Sequence, residues 1–493
     1  MDETGSLPRF AARPVGIVVA VQIAVATALS WRYGFHRDEL YFVAAGKRLD
    51  WGYTDQPPIT PLLARIATTV FGETPMGLRV VATLAAAATV VLVALVAREI
   101  GAGRTAQWVS AASAALASYV VVVTHMVSTT TIDMLVWVAL GLAVMRLLRT
   151  GDPRWWVAVG AIIGVGLANK WLVLLLVSGL AVGVVVFGPR NVLRSWWLAV
   201  GVLVTLALAA PIMVWQAAHD FPMLTVASGI SQDDGPENRI MFVPMQLVYL
   251  SPVLVPVWIT GIRRLWRLSW GRAFAVAYPV VCVELLVLGG KPYYSVPLLL
   301  LLMPAGVEPV LQWLSRRALW RGVAIAGAAT GVVVSLVVGM PILPASALNG
   351  PVLGVNKEQG EQYGWPELTS TVARVWQEIP ADQRGKAVIL GGNYGETAAI
   401  EYYGPEHGLP QPYSGHMSYA DWGPPADTMT GPVVLVGYPR QSDAHQFIPG
   451  CHVVATVDNG IDLDNEEQGK LVSLCSPPNQ PWSRIWPSLR NFY

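Results

Sequence analysis

Ten apolar runs, each long enough for a helix to cross roughly 30 Å of hydrocarbon, dominate this 493-residue chain. They fall near residues 14–33, 77–97, 105–124, 131–148, 171–187, 196–214, 241–262, 273–288, 298–315 and 323–342. A shorter stretch, 155–169, is bounded by Arg154 and by Asn169–Lys170 and counts as an eleventh span. Lipid offers no partner to backbone N–H and C=O groups, so spans of this length must be helical. With 54% hydrophobic and 13% charged residues, the chain lacks the charge to cover a soluble surface. The expected fold is mostly α, a polytopic membrane protein with about 11 transmembrane helices. No cleavable signal peptide is read at the start: the first run is too long for one, and no small-residue cleavage site follows it.

Beyond Pro341 and Pro344 no further run of that length occurs. The chain divides into a membrane domain, 1–342, and a water-soluble region, 343–493. The net charge of +1 hides a split, because 343–493 holds 16 Asp/Glu against 8 Lys/Arg. "KAVILGG", "GPVVLVG" and "CHVVATV" read as strands and "ETAAIEYYG" as a helix, giving a small α/β domain. Cys451 and Cys475 both lie in it; a disulfide suits an oxidising exterior, and two buried thiols are the alternative. No internal or inverted repeat is visible.

Basic residues in short loops set the orientation. With the N-terminus cytoplasmic, the inner segments hold 16 Lys/Arg and the short outer loops 3 (Lys170, Arg239 and Lys291). The C-terminal domain is then extracytoplasmic, and the expected location is the plasma membrane. The first outer loop defies the rule with six basic residues from Arg32 to Arg79, which need another reason to be there.

That loop carries "FHRDELYFVAAGKRLDWGYTDQPP". Leu40 to Ala44 and Leu49 support a short amphipathic helix on the outer face, with acids at its start and Lys47–Arg48 at its end, as the helix dipole favours. Helix capping leaves unexplained the side-by-side Asp38 and Glu39 next to His36, and the proline-fixed turn Asp55–Gln56–Pro57–Pro58. A carboxylate at the lipid boundary is partly desolvated and becomes a better proton acceptor, which marks Asp38 as a candidate base. Further polar residues fall on the same side: His125 and Asp133 around the third-to-fourth span junction, Lys170, the loop from Trp215 with His219 and Arg239, and "GGKPYYSVP" with Lys291, Tyr293 and Tyr294. For Asp133 capping competes with function, and for Lys170 snorkelling does. Cations suit an anionic head group and acids suit activation of a hydroxyl. No phosphate-binding glycine loop, zinc-ligand spacing or serine-hydrolase elbow is present, so a pre-activated, lipid-borne substrate fits better than nucleotide hydrolysis. Nothing in the charge balance points to nucleic acid.

These motifs, "HRDE", "GYTDQPPITPLLARI", "STTTID" and "GKPYYSVP", resemble the polyprenyl-phosphate-dependent glycosyltransferases of the C-type (GT-C) fold over roughly residues 12–340. The similar groups are the protein O-mannosyltransferases (family 39) and the lipid A aminoarabinose transferases. The resemblance implies that a sugar arrives on a polyprenyl phosphate and that Asp38 deprotonates an acceptor hydroxyl, with Glu39 assisting or positioning. It implies donor binding by Lys291, Tyr293 and Tyr294, with Arg239, Lys170, Gln56, His125 and Asp133 as further candidates. The aminoarabinose transferases carry a Lys where this chain has Gln56, so Lys291 must carry more of the phosphate binding. A divalent metal on Asp55 and His219 stays open, as in some relatives.

The resulting expectation is an inverting glycosyltransferase acting on an outer-face acceptor, whether lipid, cell-wall glycan or protein. A transporter or flippase of lipid-linked saccharides is the alternative. It requires polar residues through the bilayer centre, whereas these gather at the outer boundary. A binding protein with a decayed site is a third.

Overall fold

The computed structural model describes residues 7–492. Among the described residues, six helices are long and apolar enough to cross a membrane: Ala12–Leu29, Pro75–Glu99, Thr129–Thr150, Trp196–Ala218, Pro292–Ser315 and Ala318–Gly339. Two expected straight spans are broken, Arg104–Ala115 from Ser118–Thr124 by 62° and Gly235–Val248 from Pro252–Arg267 by 76°. At the second break Ser251 adopts φ 108 and Pro252 offers no backbone N–H, so the helical ladder cannot continue. Counting each bent pair as one span gives eight, against the eleven expected. Trp155–Leu167 and Val173–Phe187 account for part of the difference, since 13 and 15 residues rise only about 20 Å.

Small residues let these helices approach closely. A Cβ on Gly160 would lie 2.1 Å from the carbonyl oxygen of Gly201, so the Trp155–Leu167 and Trp196–Ala218 helices meet backbone to backbone.

The C-terminal region forms a four-stranded sheet in the order β1-β2-β4-β3, with β1 Val388–Gly391, β2 Val433–Val436, β3 His452–Thr456 and β4 Leu471–Cys475. β1 and β2 run parallel (Val388 opposite Val433); β4 is antiparallel to both β2 and β3, with a bulge between Val453 and Ala455. β1 and β2 are buried throughout, as continuous apolar runs require. A Cys451–Cys475 disulfide ties the start of β3 to the end of β4.

The helix Arg37–Lys47 departs from the expected surface helix. It starts with a capping box, in which His36 Nδ1 accepts from the Asp38 N–H (3.1 Å) and a Glu39 carboxylate oxygen accepts from the His36 N–H (2.8 Å). Every residue from Glu39 to Gly46 is buried, because the C-terminal region covers the helix. Phe35, Leu40, Tyr41 and Phe42 share one apolar core with Trp365, Leu368, Ile389 and Val434. The first loop and the C-terminal region are therefore packed as one body.

Candidate functional site

The site is organised by the first turn of the Arg37–Lys47 helix. Asp38 is partly exposed, and its Oδ1 accepts a hydrogen bond from the Tyr394 hydroxyl (2.7 Å). Tyr394 opens the helix Tyr394–Tyr403 behind the turn "GGN". One turn on from Asp38, the Tyr41 hydroxyl donates to Asp55 Oδ1 (2.7 Å), and the Tyr41 and Tyr394 rings are in contact at 4.9 Å. Burial raises the Asp55 carboxyl to about 6; the Tyr41 bond opposes this, and the charges of Asp38 and Asp421 add to it. Beside Asp55, Thr54 donates to Asp421 (2.5 Å), anchoring the proline turn to the C-terminal region.

Glu39 points the other way and is fully buried. Its carboxylate takes two bonds from Arg79 (2.7 and 3.0 Å), one from the His36 N–H and one from the Val127 N–H (3.0 Å). Both oxygens are thus doubly occupied, which suits the positioning role of the two expected for it. His125 belongs to the same buried network, with Nε2 at 3.3 Å from Arg79 and Nδ1 without a hydrogen-bond partner.

The expected cations partly converge. Lys170 donates to Thr130 Oγ1 (3.0 Å), lies 4.8 Å from the centre of the Tyr294 ring, and is within electrostatic range of Asp133, Lys291 and Asp38. Asp133 is buried, and its Oδ1 has no hydrogen-bond partner; Ser128, not Asp133, caps the Thr129–Thr150 helix. Gln56 is also buried, with both amide atoms unpartnered. Its turn leads directly to Ile59, whose N–H donates to the Ala168 carbonyl, and to Thr60, which donates to Asn169. Tyr293 stacks on Tyr119 at 5.0 Å and meets Tyr294 edge-on at 4.8 Å, while Lys291 lies 3.6 Å from Asp234.

Two expected residues are engaged elsewhere. Arg239 donates to the carbonyls of Leu286 and Val287 (2.9 and 3.2 Å), covering the end of the Arg272–Leu288 helix, where carbonyls lack partners. His219 stacks on Trp215 at 3.9 Å, and its Nδ1 bonds the Trp215 carbonyl (2.8 Å). Asp55 Oδ1 is meanwhile bonded to Tyr41. Among the described residues the acids grouped closely enough for a metal are Glu361, Glu466 and Glu467, and Arg37 already pairs with Glu466 and, at 3.9 Å, with Glu361.

Three contributors escaped the sequence reading. Tyr394 follows a helix-start signal (Asn393 capping, Glu396 three residues on), but nothing local names its partner. Glu358 bonds His36 Nε2 (2.8 Å) and lies within electrostatic range of Lys291. Burial pushes its carboxyl up, but the bond from His36 and the charges of His36, Arg37 and Lys291 outweigh this and hold it at about 2. Arg79 had a signal, being a basic residue on the wrong side, and its reason is Glu39.

A family model described as dolichyl-phosphate-mannose-protein mannosyltransferase matches residues 55–215. That stretch takes in Asp55, Gln56, Asp133 and Lys170 and stops short of Asp38. No curated protein matches the chain. Crystal structures of ArnT from Cupriavidus metallidurans match over nearly the whole length. The complex with undecaprenyl phosphate aligns with a TM-score of 0.59 and 16% identity, covering 94% of this chain and 98% of that one. The apo form aligns with a TM-score of 0.61 and 16% identity, covering 93% and 97%. At that identity what is shared is the fold, and it extends through the C-terminal region as well as the membrane helices.

Proposed function

We propose that this chain, which has the ArnT fold and resembles the C-type glycosyltransferases, moves a sugar from a polyprenyl phosphate to a hydroxyl acceptor at the outer face of the plasma membrane. The observation that carries the reading is Asp38. It is a partly exposed carboxylate with one oxygen bonded by Tyr394, within electrostatic range of Lys170, which in turn senses Lys291. A base and two cations around one space match what this transfer needs.

Asp38 takes the proton from the acceptor hydroxyl. The freed oxygen attacks the anomeric carbon, the bond from that carbon to the phosphate oxygen breaks, and polyprenyl phosphate leaves with the electron pair. Attack opposite the leaving group inverts the centre. Lys170 and Lys291, with Tyr293 and Tyr294, neutralise the phosphate. Gln56 and Asp133, buried with unpartnered polar atoms, are placed to meet sugar hydroxyls. The sugar is a hexose, pentose or aminosugar, and the acceptor a lipid, glycan or protein. The N-terminus is cytoplasmic and the C-terminal region extracytoplasmic.

The test is transfer of radiolabelled sugar from extracted polyprenyl-phosphate donors by the protein in vesicles. Asp38→Asn is expected to lose about 100-fold or more. Undiminished transfer by this variant sinks the base assignment. Movement of labelled donor across the bilayer, with no transfer by the wild type, replaces the reading with a transporter.

A further inference from the structure

We infer that Tyr394 is a positioning residue for Asp38, so that the C-terminal region completes the reactive site instead of only covering it. The inference rests on Asp38 being the base.

Tyr394 comes from 356 positions along the chain, yet its hydroxyl reaches Asp38 Oδ1 at 2.7 Å. Its ring is held from several sides. Tyr41 packs at 4.9 Å, His416 stacks at 5.4 Å with an interplanar angle of 10°, and the Arg37 guanidinium lies 5.6 Å from the ring centre. The backbone is fixed as well, because the Tyr394 N–H donates to His416 Nδ1 (3.1 Å). Burial, with the Arg37 charge assisting, pushes His416 down to about 4, so the imidazole is neutral and Nδ1 accepts. The next residue must be glycine: a Cβ at Gly395 would meet Arg37 Cγ at 2.5 Å and Cδ at 2.8 Å. The sequence thus clears the space that lets this helix start rest on the helix bearing Asp38.

Such a tyrosine has one function available to it. Burial and the charge of Asp38 push its hydroxyl well above the ordinary range, so it stays protonated and only donates. Donating to Oδ1 fixes the rotation of the carboxylate and leaves Oδ2 to receive the acceptor's proton. The other charged or titratable groups around Asp38 are His36 and Arg37 on its own helix turn, Asp55, Lys170 and Tyr293. Among the described residues, none of these donates a hydrogen bond to the Asp38 carboxylate.

The experiment is a pH–rate profile of sugar transfer by the full-length protein in vesicles, comparing wild type, Tyr394→Phe and Asp38→Asn. The phenylalanine keeps the ring packing and removes only the donor. Its acid limb is expected to move up by about one pH unit, the size of one hydrogen bond to a charged group. The expected kcat falls about tenfold through loss of alignment, with the donor KM within about twofold of wild type and an unchanged Tm. A Tyr394→Phe profile superimposable on wild type, with Asp38→Asn inactive, overturns the positioning role and leaves the base standing. Full activity of Asp38→Asn removes both. A lowered Tm with an unmoved profile also overturns the inference, since it makes the tyrosine a packing residue.

Discussion

Arg79 closes two nitrogens of its guanidinium on the Glu39 carboxylate, at 2.7 and 3.0 Å, with neither side chain reaching solvent. The arginine also donates to the carbonyls of Ser30 and Gly34 (2.8 and 2.6 Å), fastening the end of the first membrane helix to the start of the next full-length one. The acidic pair therefore separates into two environments set by neighbouring rotations of one helix turn. Glu39 is buried on Arg79, and Asp38 is partly exposed and bonded by Tyr394.

Glu39→Gln leaves the Arg79 guanidinium buried without its carboxylate partner. A stability loss of about 3–5 kcal/mol is expected, as for removal of one partner from a buried pair. Asp38→Asn, at a partly exposed position, is expected to cost less than about 1 kcal/mol. Thermal unfolding in detergent separates the two; equal Tm values for both variants refute the division.

Lys170→Ala and Lys291→Ala are each expected to raise the donor KM about tenfold or more, with a smaller effect on kcat, if both bind the donor phosphate in ground and transition states alike. Arg239→Ala, whose guanidinium covers a helix end, is expected to leave donor KM unchanged. Steady-state kinetics with solubilised donor decide this. An Arg239 effect larger than that of either lysine moves the phosphate site.

The His36–Glu358 pair gives a pH window. Glu358 is held at about 2, below its ordinary 4.5, so its stabilisation is present above pH 4.5 and is lost as pH falls toward 2. His36 titrates above its ordinary 6.5: burial opposes its charge, but the Glu358 bond and the charges of Asp38 and Glu358 win, and on protonation Nδ1 gives up its bond from the Asp38 N–H. Its share is full below pH 6.5 and disappears as pH rises through the raised value. The Tm difference between wild type and Glu358→Gln is therefore largest between pH 4.5 and 6.5 and shrinks on either side. A difference that is constant from pH 3 to 9 excludes the ion pair as its cause.

Gly395→Ala places a methyl group against the Arg37 side chain. The helix start must withdraw, so the variant is expected to reproduce the loss of kcat predicted for Tyr394→Phe and also to lower Tm by several degrees. Activity and Tm equal to wild type refute the close approach.

The membrane character and the helical class were readable because they depend on composition and run length alone. The strands "VILG", "VVLV" and "HVVAT" were legible for the same reason, as short apolar runs with glycine and proline at their ends. The first outer loop stood out because Asp38, Asp55 and the prolines violate what lipid tolerates. Sequence could not decide which face of Arg37–Lys47 meets what, since an amphipathic pattern fits a lipid surface and a protein surface equally well. It also counted spans by hydropathy, which sees neither the break at Ser251–Pro252 nor the shortness of Trp155–Leu167. The separation of the adjacent acids, the partners of Arg239 and His125, and the arrival of Tyr394 at Asp38 are contacts between residues tens to hundreds of positions apart. Local sequence carries no record of such partners, and the Tyr394–Asp38 bond exists only once the C-terminal region has folded onto the first loop.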